Sequence, residues 1–395
     1  MDLVVRGRRT LLLSAMAVFV FTVGIGILNG TDAYEPDHDV LMAHVHSGTL
    51  GWISLSVLAA ALGLFGAGLT GWHASVMRWL PAATAAAVVG YVVAFVFSHS
   101  VVRPIVGIGT LAVVVVWFAW VIDRRATQPL SVPRLAVLAA ITSLLVGAVL
   151  GILLGLKIAG HDVLPDGGED AHPAAMVIGF LIPIGMAVAE WRLRPELVET
   201  EADRAGRLQI ALPFVGGLSV MIGLLADVDP LVMLSLPFEI IGVGIFVRRM
   251  WPAIAALDWR TGGWARGGAL TVLYLVVNIG FFVYIVSKYA EDLDAAPARL
   301  FLALDHLMFV GVMTNSLFGL LDGMATRRVW ARVDDWVLAG MNVGLVIFVI
   351  GLLQEEASIK RIGTPIMGTA ILVGLATFAA RLNAVRTEPA TVASR

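Results

Sequence analysis

Twelve apolar runs, each long enough to cross about 30 Å of hydrocarbon, follow one another along this chain. They fall at 10–29, 45–69, 81–98, 104–122, 135–157, 172–190, 208–226, 230–248, 267–287, 299–321, 333–353 and 364–381. No polar stretch between them is long enough to fold alone. Hydrocarbon cannot hydrogen-bond to a bare backbone, so runs of this length must satisfy their own N–H and C=O groups as helices. The expectation is an all-α polytopic membrane protein of about twelve transmembrane helices, a single transmembrane domain over 1–395. Composition agrees: 59% of residues are hydrophobic and 14% charged, against about 25% charged in soluble domains.

Basic residues orient the spans. With a cytoplasmic N-terminus, 21 of the 27 Lys and Arg fall on the cytoplasmic side, among them Arg6, Arg8, Arg9, Arg124, Arg125, Arg192, Arg194, Arg248, Arg249, Arg327 and Arg328. The other six are Arg103, Lys157, Lys288, Arg299, Lys360 and Arg361. Excess positive charge marks the cytoplasmic side. This predicts a plasma (inner) membrane protein with both termini cytoplasmic and lipid as its main partner. The first run, Leu11 to Leu28, is long for a signal peptide and lacks a clear cleavage site, so it reads as a retained signal anchor. A net charge of −2 gives nucleic acid no basic surface. The absence of cysteine excludes disulfides, thiolate-held iron–sulfur clusters and covalent heme.

Three sets of landmarks suggest an internal repeat. Gly51, Gly179 and Gly311 lie about one-third into spans 2, 6 and 10, at separations of 128 and 132 residues. Pro104, Pro230 and Pro365 open spans 4, 8 and 12, and His99, Asp227 and Glu355 close spans 3, 7 and 11. Three four-helix blocks of approximately 1–130, 131–263 and 264–395, in one orientation and with pseudo-threefold symmetry, account for these spacings.

Seven of the eight histidines lie on the outer side; His73 is the exception. His44 and His46 open span 2, His172 opens span 6, and His306 lies early in span 10. Aligned on the glycines, His44 matches His172 and His46 matches His306. Residues two apart on a helix point about 200° apart, so His44 and His46 face different clefts. A lone imidazole at an interface is more often a solvated or capping residue, which is the reading for His38, His99 and His161. The matched set points instead to heme or metal, because an unpartnered imidazole nitrogen in hydrocarbon is costly. Met176 lies one turn from His172 and is a candidate ligand beside it.

At these residues the chain resembles the catalytic subunit of heme–copper oxidases and nitric oxide reductases. That family has twelve helices in three four-helix arcs, with its ligands on helices 2, 6, 7 and 10. The phrase His44-Val-His46-Ser-Gly-Thr-Leu-Gly-Trp52 looks like the family's His-x-His segment, although it sits here on helix 2 rather than helix 10. Helix 7 lacks the family's copper-binding His pair, and its cross-linked Tyr has no counterpart. The chain is also similar in layout to the twelve-helix heme- and copper-containing membrane proteins of the bacterial nitric oxide response. The resemblance implies non-covalent b-type heme held between helices 2 and 10, by His306 with either His44 or His46. It also implies copper or a second heme at His172 and Met176, and electron transfer or O2/NO handling as an oxidoreductase, with an electron donor as partner. Depth favours His46 for the pairing with His306, since His46 lies about 3 Å deeper than His44.

Glu239, mid-span in helix 8 two residues after Pro237, is a proton-path candidate, because intramembrane carboxylates are usually functional. It anchors an alternative reading, a secondary transporter with a polar path past Glu239. A heme-free membrane sensor or assembly protein is the third reading. Asn278, Thr314, Asn315 and Asn342 read as interhelical hydrogen-bonding residues.

Overall fold

The computed structural model describes residues 2–97, 101–289, 292–325 and 330–384. His99, Arg327 and Arg328 of the sequence reading lie outside them. The described chain is helical without strands, and twelve helices are long and apolar enough to span a membrane. They are α1 (Leu3–Gly30), α2 (His38–Phe65), α3 (Gly71–Phe97), α4 (Val102–Thr127), α5 (Val132–Ile158), α6 (Gly168–Leu193), α7 (Arg204–Ala226), α8 (Asp229–Ala255), α9 (Ala265–Lys288), α10 (Ala298–Met324), α11 (Arg332–Gln354) and α12 (Ala357–Ala384).

Four helices, α1, α2, α3 and α12, start seven or more residues earlier than hydropathy predicts, and two of these bear on residues singled out above. α2 begins at His38 because Asp37 caps it, accepting a bond from the Val40 N–H at 2.8 Å. His44 and His46 therefore sit in its second and third turns and do not open it. α12 begins at Ala357, so Pro365 lies inside the helix and does not open it. Its charged first turns are held by Lys360 and Arg361, which both bind Asp32 in the α1–α2 loop, at 2.6 and 2.8 Å. Pro104 and Pro230 do lie in the first turns of α4 and α8. Asp227 and Glu355 end α7 and α11 in the left-handed conformation.

Helices α2, α6 and α10 form the interior. In their most apolar stretches 78%, 78% and 67% of residues are buried, against 28–56% in the other nine. Around them, α4 packs on α5, α8 on α9 and α12 on α1, which closes a ring. α10 touches both α2 and α6. Trp52 of α2 donates to the Thr314 hydroxyl of α10 at 3.3 Å and stacks on Phe19 of α1. Asn315 and Asn342 exchange reciprocal amide bonds of 2.8 and 3.0 Å between α10 and α11. Asn278 of α9 donates to the Leu304 carbonyl of α10. These are the interhelical bonds expected of them.

The three interior helices share a feature found on no other span among the described residues: each changes from α- to π-helix. The π segments are Ser47–Ser54, Val177–Leu181 and Leu307–Thr314. A π turn loosens the carbonyl ladder, and it persists where something re-satisfies it. Ser54 donates to the Thr49 carbonyl and Thr314 to the Phe309 carbonyl, each five residues back. In α6, Ser143 reaches across from α5 to the Gly179 carbonyl. Gly51, Gly179 and Gly311 lie inside these segments, each against the preceding helix. A Cβ there would meet Val18 of α1 at 2.3 Å, Ser143 of α5 at 2.8 Å and Tyr274 of α9 at 2.6 Å.

Candidate histidine clefts

All four histidines on the interior helices lie between one and five residues before a π segment, at the end of the bundle opposite the main basic cluster. Each uses Nδ1 in the same way: its N–H donates to a backbone carbonyl. His44 donates to Thr22 of α1 at 2.9 Å, and His172 to Gly147 of α5 at 2.9 Å. His46 and His306 donate to the carbonyls four residues back, Met42 and Leu302, both at 2.8 Å. A neutral imidazole that donates from Nδ1 presents a lone pair at Nε2. None of the four Nε2 atoms has a hydrogen-bond partner among the described residues. A backbone carbonyl on Nδ1 is the arrangement that orients metal-binding histidines. The four rings are only partly buried although they lie on interior helices.

The surroundings sort them into two pairs. His44 faces α1, on which α12 packs, and His306 faces α11, whereas His46 faces α3 and His172 faces α5. Depth favoured His46 as the partner of His306; direction around the helix turns His44 to the side of α1, α12 and α11, and His46 to the side of α3. His46 points towards α3, stacking on Phe95 at 4.3 Å with Tyr91 edge-on at 5.7 Å. Arg103 of α4 covers the same Phe95 ring at 5.0 Å and binds Asp39 at 2.7 Å. His306 rests on Phe348 of α11 at 4.7 Å.

The two pairs are built alike. Each joins one imidazole bonded to a neighbouring helix with one bonded to its own helix. Beside each cross-bonded imidazole, four residues beyond the accepting carbonyl, stands a glycine. Gly26 is at His44 and Gly151 at His172, where an added Cβ would meet the ring at 3.4 and 3.1 Å. The corresponding positions of α6, α9 and α10 carry Ala174, Phe282 and Leu304, so a third cleft has no such donors.

Met176 approaches the same residue of α5 as His172 does. Its sulfur packs against α5 at Gly147, and no group of three or more His, Cys, Asp or Glu converges among the described residues. Glu239 is buried and hydrogen-bonded by Ser235 of its own helix at 2.7 Å. His73, on the basic face, pairs with Asp123 at 2.8 Å.

That opposite face carries ion pairs the sequence reading passed over. Arg249 of α8 binds Glu190 of α6 at 2.6 and 3.0 Å and also Gln209 of α7. Arg192 of α6 binds Asp322 of α10 at 3.0 Å. Arg381 of α12, fully buried, binds Asp334 of α11 at 2.9 Å. Glu190 and Asp322 each lie eleven residues beyond their glycine, and the same counting that aligned the histidines would have found them. No family model matches the chain, and no curated protein matches it at a significant level.

Proposed function

We propose that the chain is a heme-binding membrane protein in which His44 and His306 would hold a non-covalent b-type heme between α2 and α10. The observation that carries this reading is the set of imidazoles with Nδ1 tied to a carbonyl and Nε2 free. Two neutral imidazoles in one cleft suit an iron that already has four equatorial ligands. When bound, such a heme would supply one-electron redox chemistry. The protein's own part is to fix both rings by the Thr22 and Leu302 carbonyls, to leave room through Gly26, and to wall the cleft with Phe348.

The recurring π segments, glycine contacts and closed ring of packing support three related four-helix units. They also support the resemblance to the heme–copper oxidase and nitric oxide reductase superfamily, and to the twelve-helix proteins of the nitric oxide response. Absence of a larger donor set among the described residues gives copper less support than heme. The charge distribution supports a plasma-membrane location with the basic face cytoplasmic. Electron transfer or diatomic-gas handling is the role that fits.

The test is the absorption spectrum of purified protein expressed with ample heme. A Soret band with reduced α and β bands is expected. His44→Ala and His306→Ala should each remove the same low-spin component, and His73→Ala should leave it intact. A colourless protein overturns the reading, and so does a spectrum of His306→Ala equal to wild type.

A further inference from the structure

We propose that His46 and His172 form a second bis-imidazole heme site, between α2 and α6. The inference deepens the heme reading and rests on it for the identity of the ligand. Its own basis is separate: two more imidazoles, on different helices, each tied at Nδ1 to a carbonyl, with His46 on Tyr91 and Phe95 of α3 and His172 at Gly151 of α5. Those two walls meet at Gly107 of α4, where an added Cβ would touch both Ile152 and Tyr91, at 3.1 and 3.4 Å.

Three features choose heme over a bare metal ion. First, a protein-only copper or zinc site needs three or four donors, and no such group converges among the described residues. Two imidazoles are enough only for an iron whose other four ligands come from a macrocycle. Second, the walls suit a flat apolar ring. Tyr91 and Phe95 line the His46 side, and Gly151 leaves the His172 side without a Cβ. Third, two of the six outer-side cations lie on helices that wall this cleft, Arg103 on α4 and Lys157 on α5. Arg103 covers the Phe95 ring on which His46 stacks, and Lys157 stands near the start of α6, 3.5 Å from Glu169. Heme propionates are carboxylates, and Arg is well suited to them.

Helix α2 thereby serves two sites. Its two histidines are separated by about 200°, so one helix presents a ligand to each of its two neighbours on the interior.

Heme per chain decides the matter, measured as extracted heme against protein mass in monodisperse fractions. Wild type should hold two. His46→Ala and His172→Ala should each halve that, as should His306→Ala, and His172→Ala combined with His306→Ala should hold none. A wild type with one heme, lost in His306→Ala and kept in His172→Ala, overturns the second site and leaves the first standing. A wild type without heme overturns both. If the alanine variants cannot be purified, His172→Met keeps an iron ligand. Two hemes with one altered low-spin signal then support the site, and an unaltered spectrum overturns it.

Discussion

The two ends of the helical bundle solve the problem of polar groups in a membrane in opposite ways. On the basic face the charges neutralise one another. Arg249 meets Glu190 and Gln209, Arg381 meets Asp334, and Arg134 binds three backbone carbonyls and Glu199. At the histidine end the polar groups are half-satisfied by design of the backbone: Nδ1 is bonded and Nε2 is not. The partly exposed rings and the glycine approaches at Gly26 and Gly151 lie at that end, and the π segments lie at mid-helix just beyond the rings. A saturated end holds helices together, whereas an end with oriented lone pairs is arranged to receive something. The comparison predicts that stability depends on one half and cofactor retention on the other.

The largest expected effect on stability comes from the saturated end. Glu190→Ala would leave Arg249 buried without its carboxylate, and breaking such a pair typically costs about 3–5 kcal/mol. Denaturant unfolding in detergent should show that loss in heme-free protein, where His306→Ala changes stability by less than about 1 kcal/mol. Equal losses in the two variants would erase the division between the halves.

A smaller effect should appear at the π segments. Gly51→Ala and Gly311→Ala drive a methyl into Val18 and Tyr274. Overpacking of this kind costs about 1–3 kcal/mol. Gly24→Ala and Gly280→Ala meet nothing within 4 Å and should be neutral or stabilising by up to about 1 kcal/mol. Thermal unfolding of the four variants sharpens the comparison, since all lie in helices but only two lie on the interior ones. If the four behave alike, the close approaches at the π segments carry no weight.

The smallest effect is at the loop that joins α12 to the start of the chain. Hydrogen bonds from Lys360 and Arg361 hold the Asp32 carboxyl below its ordinary value of 3.8. A depressed folded-state value means that the contribution is present above the unfolded value and is lost as pH falls through the folded one. Asp32→Asn, which tolerates the left-handed backbone at this position, should therefore lower stability slightly at neutral pH. The difference should fade below about pH 4. A difference that persists undiminished at lower pH would mean that the backbone, and not the ion pairs, makes the contribution. The carboxylate is fully exposed, so solvent screening keeps the effect small.

What could be read without the fold, and what could not, divides along a physical line. The number of spans, the all-helical class and the shared place of Gly51, Gly179 and Gly311 were legible, because hydrophobic length and spacing are properties of the chain alone. The early starts of α2 and α12 were not. Asp37 capping and the Asp32 ion pairs admit His38, Lys360 and Arg361 to helices that hydropathy would end sooner. The π segments were hidden because a wide turn needs a hydroxyl or a neighbouring helix to satisfy its carbonyls, and Ser143 comes from α5. The partners of Glu190, Asp322 and Arg381 were hidden for the same reason.

The histidines show both sides of that line at once. Two positions recurring on spans 2, 6 and 10 are a fact of sequence, and the opposed directions of His44 and His46 follow from 3.6 residues per turn. Which neighbour each one faces does not follow from them. Depth favoured His46 with His306; the packing of α2 between α1 and α3 turns His46 towards Phe95 and His44 towards Thr22. Periodicity sets the angle between two side chains on one helix; only the contacts with other helices set where that angle points.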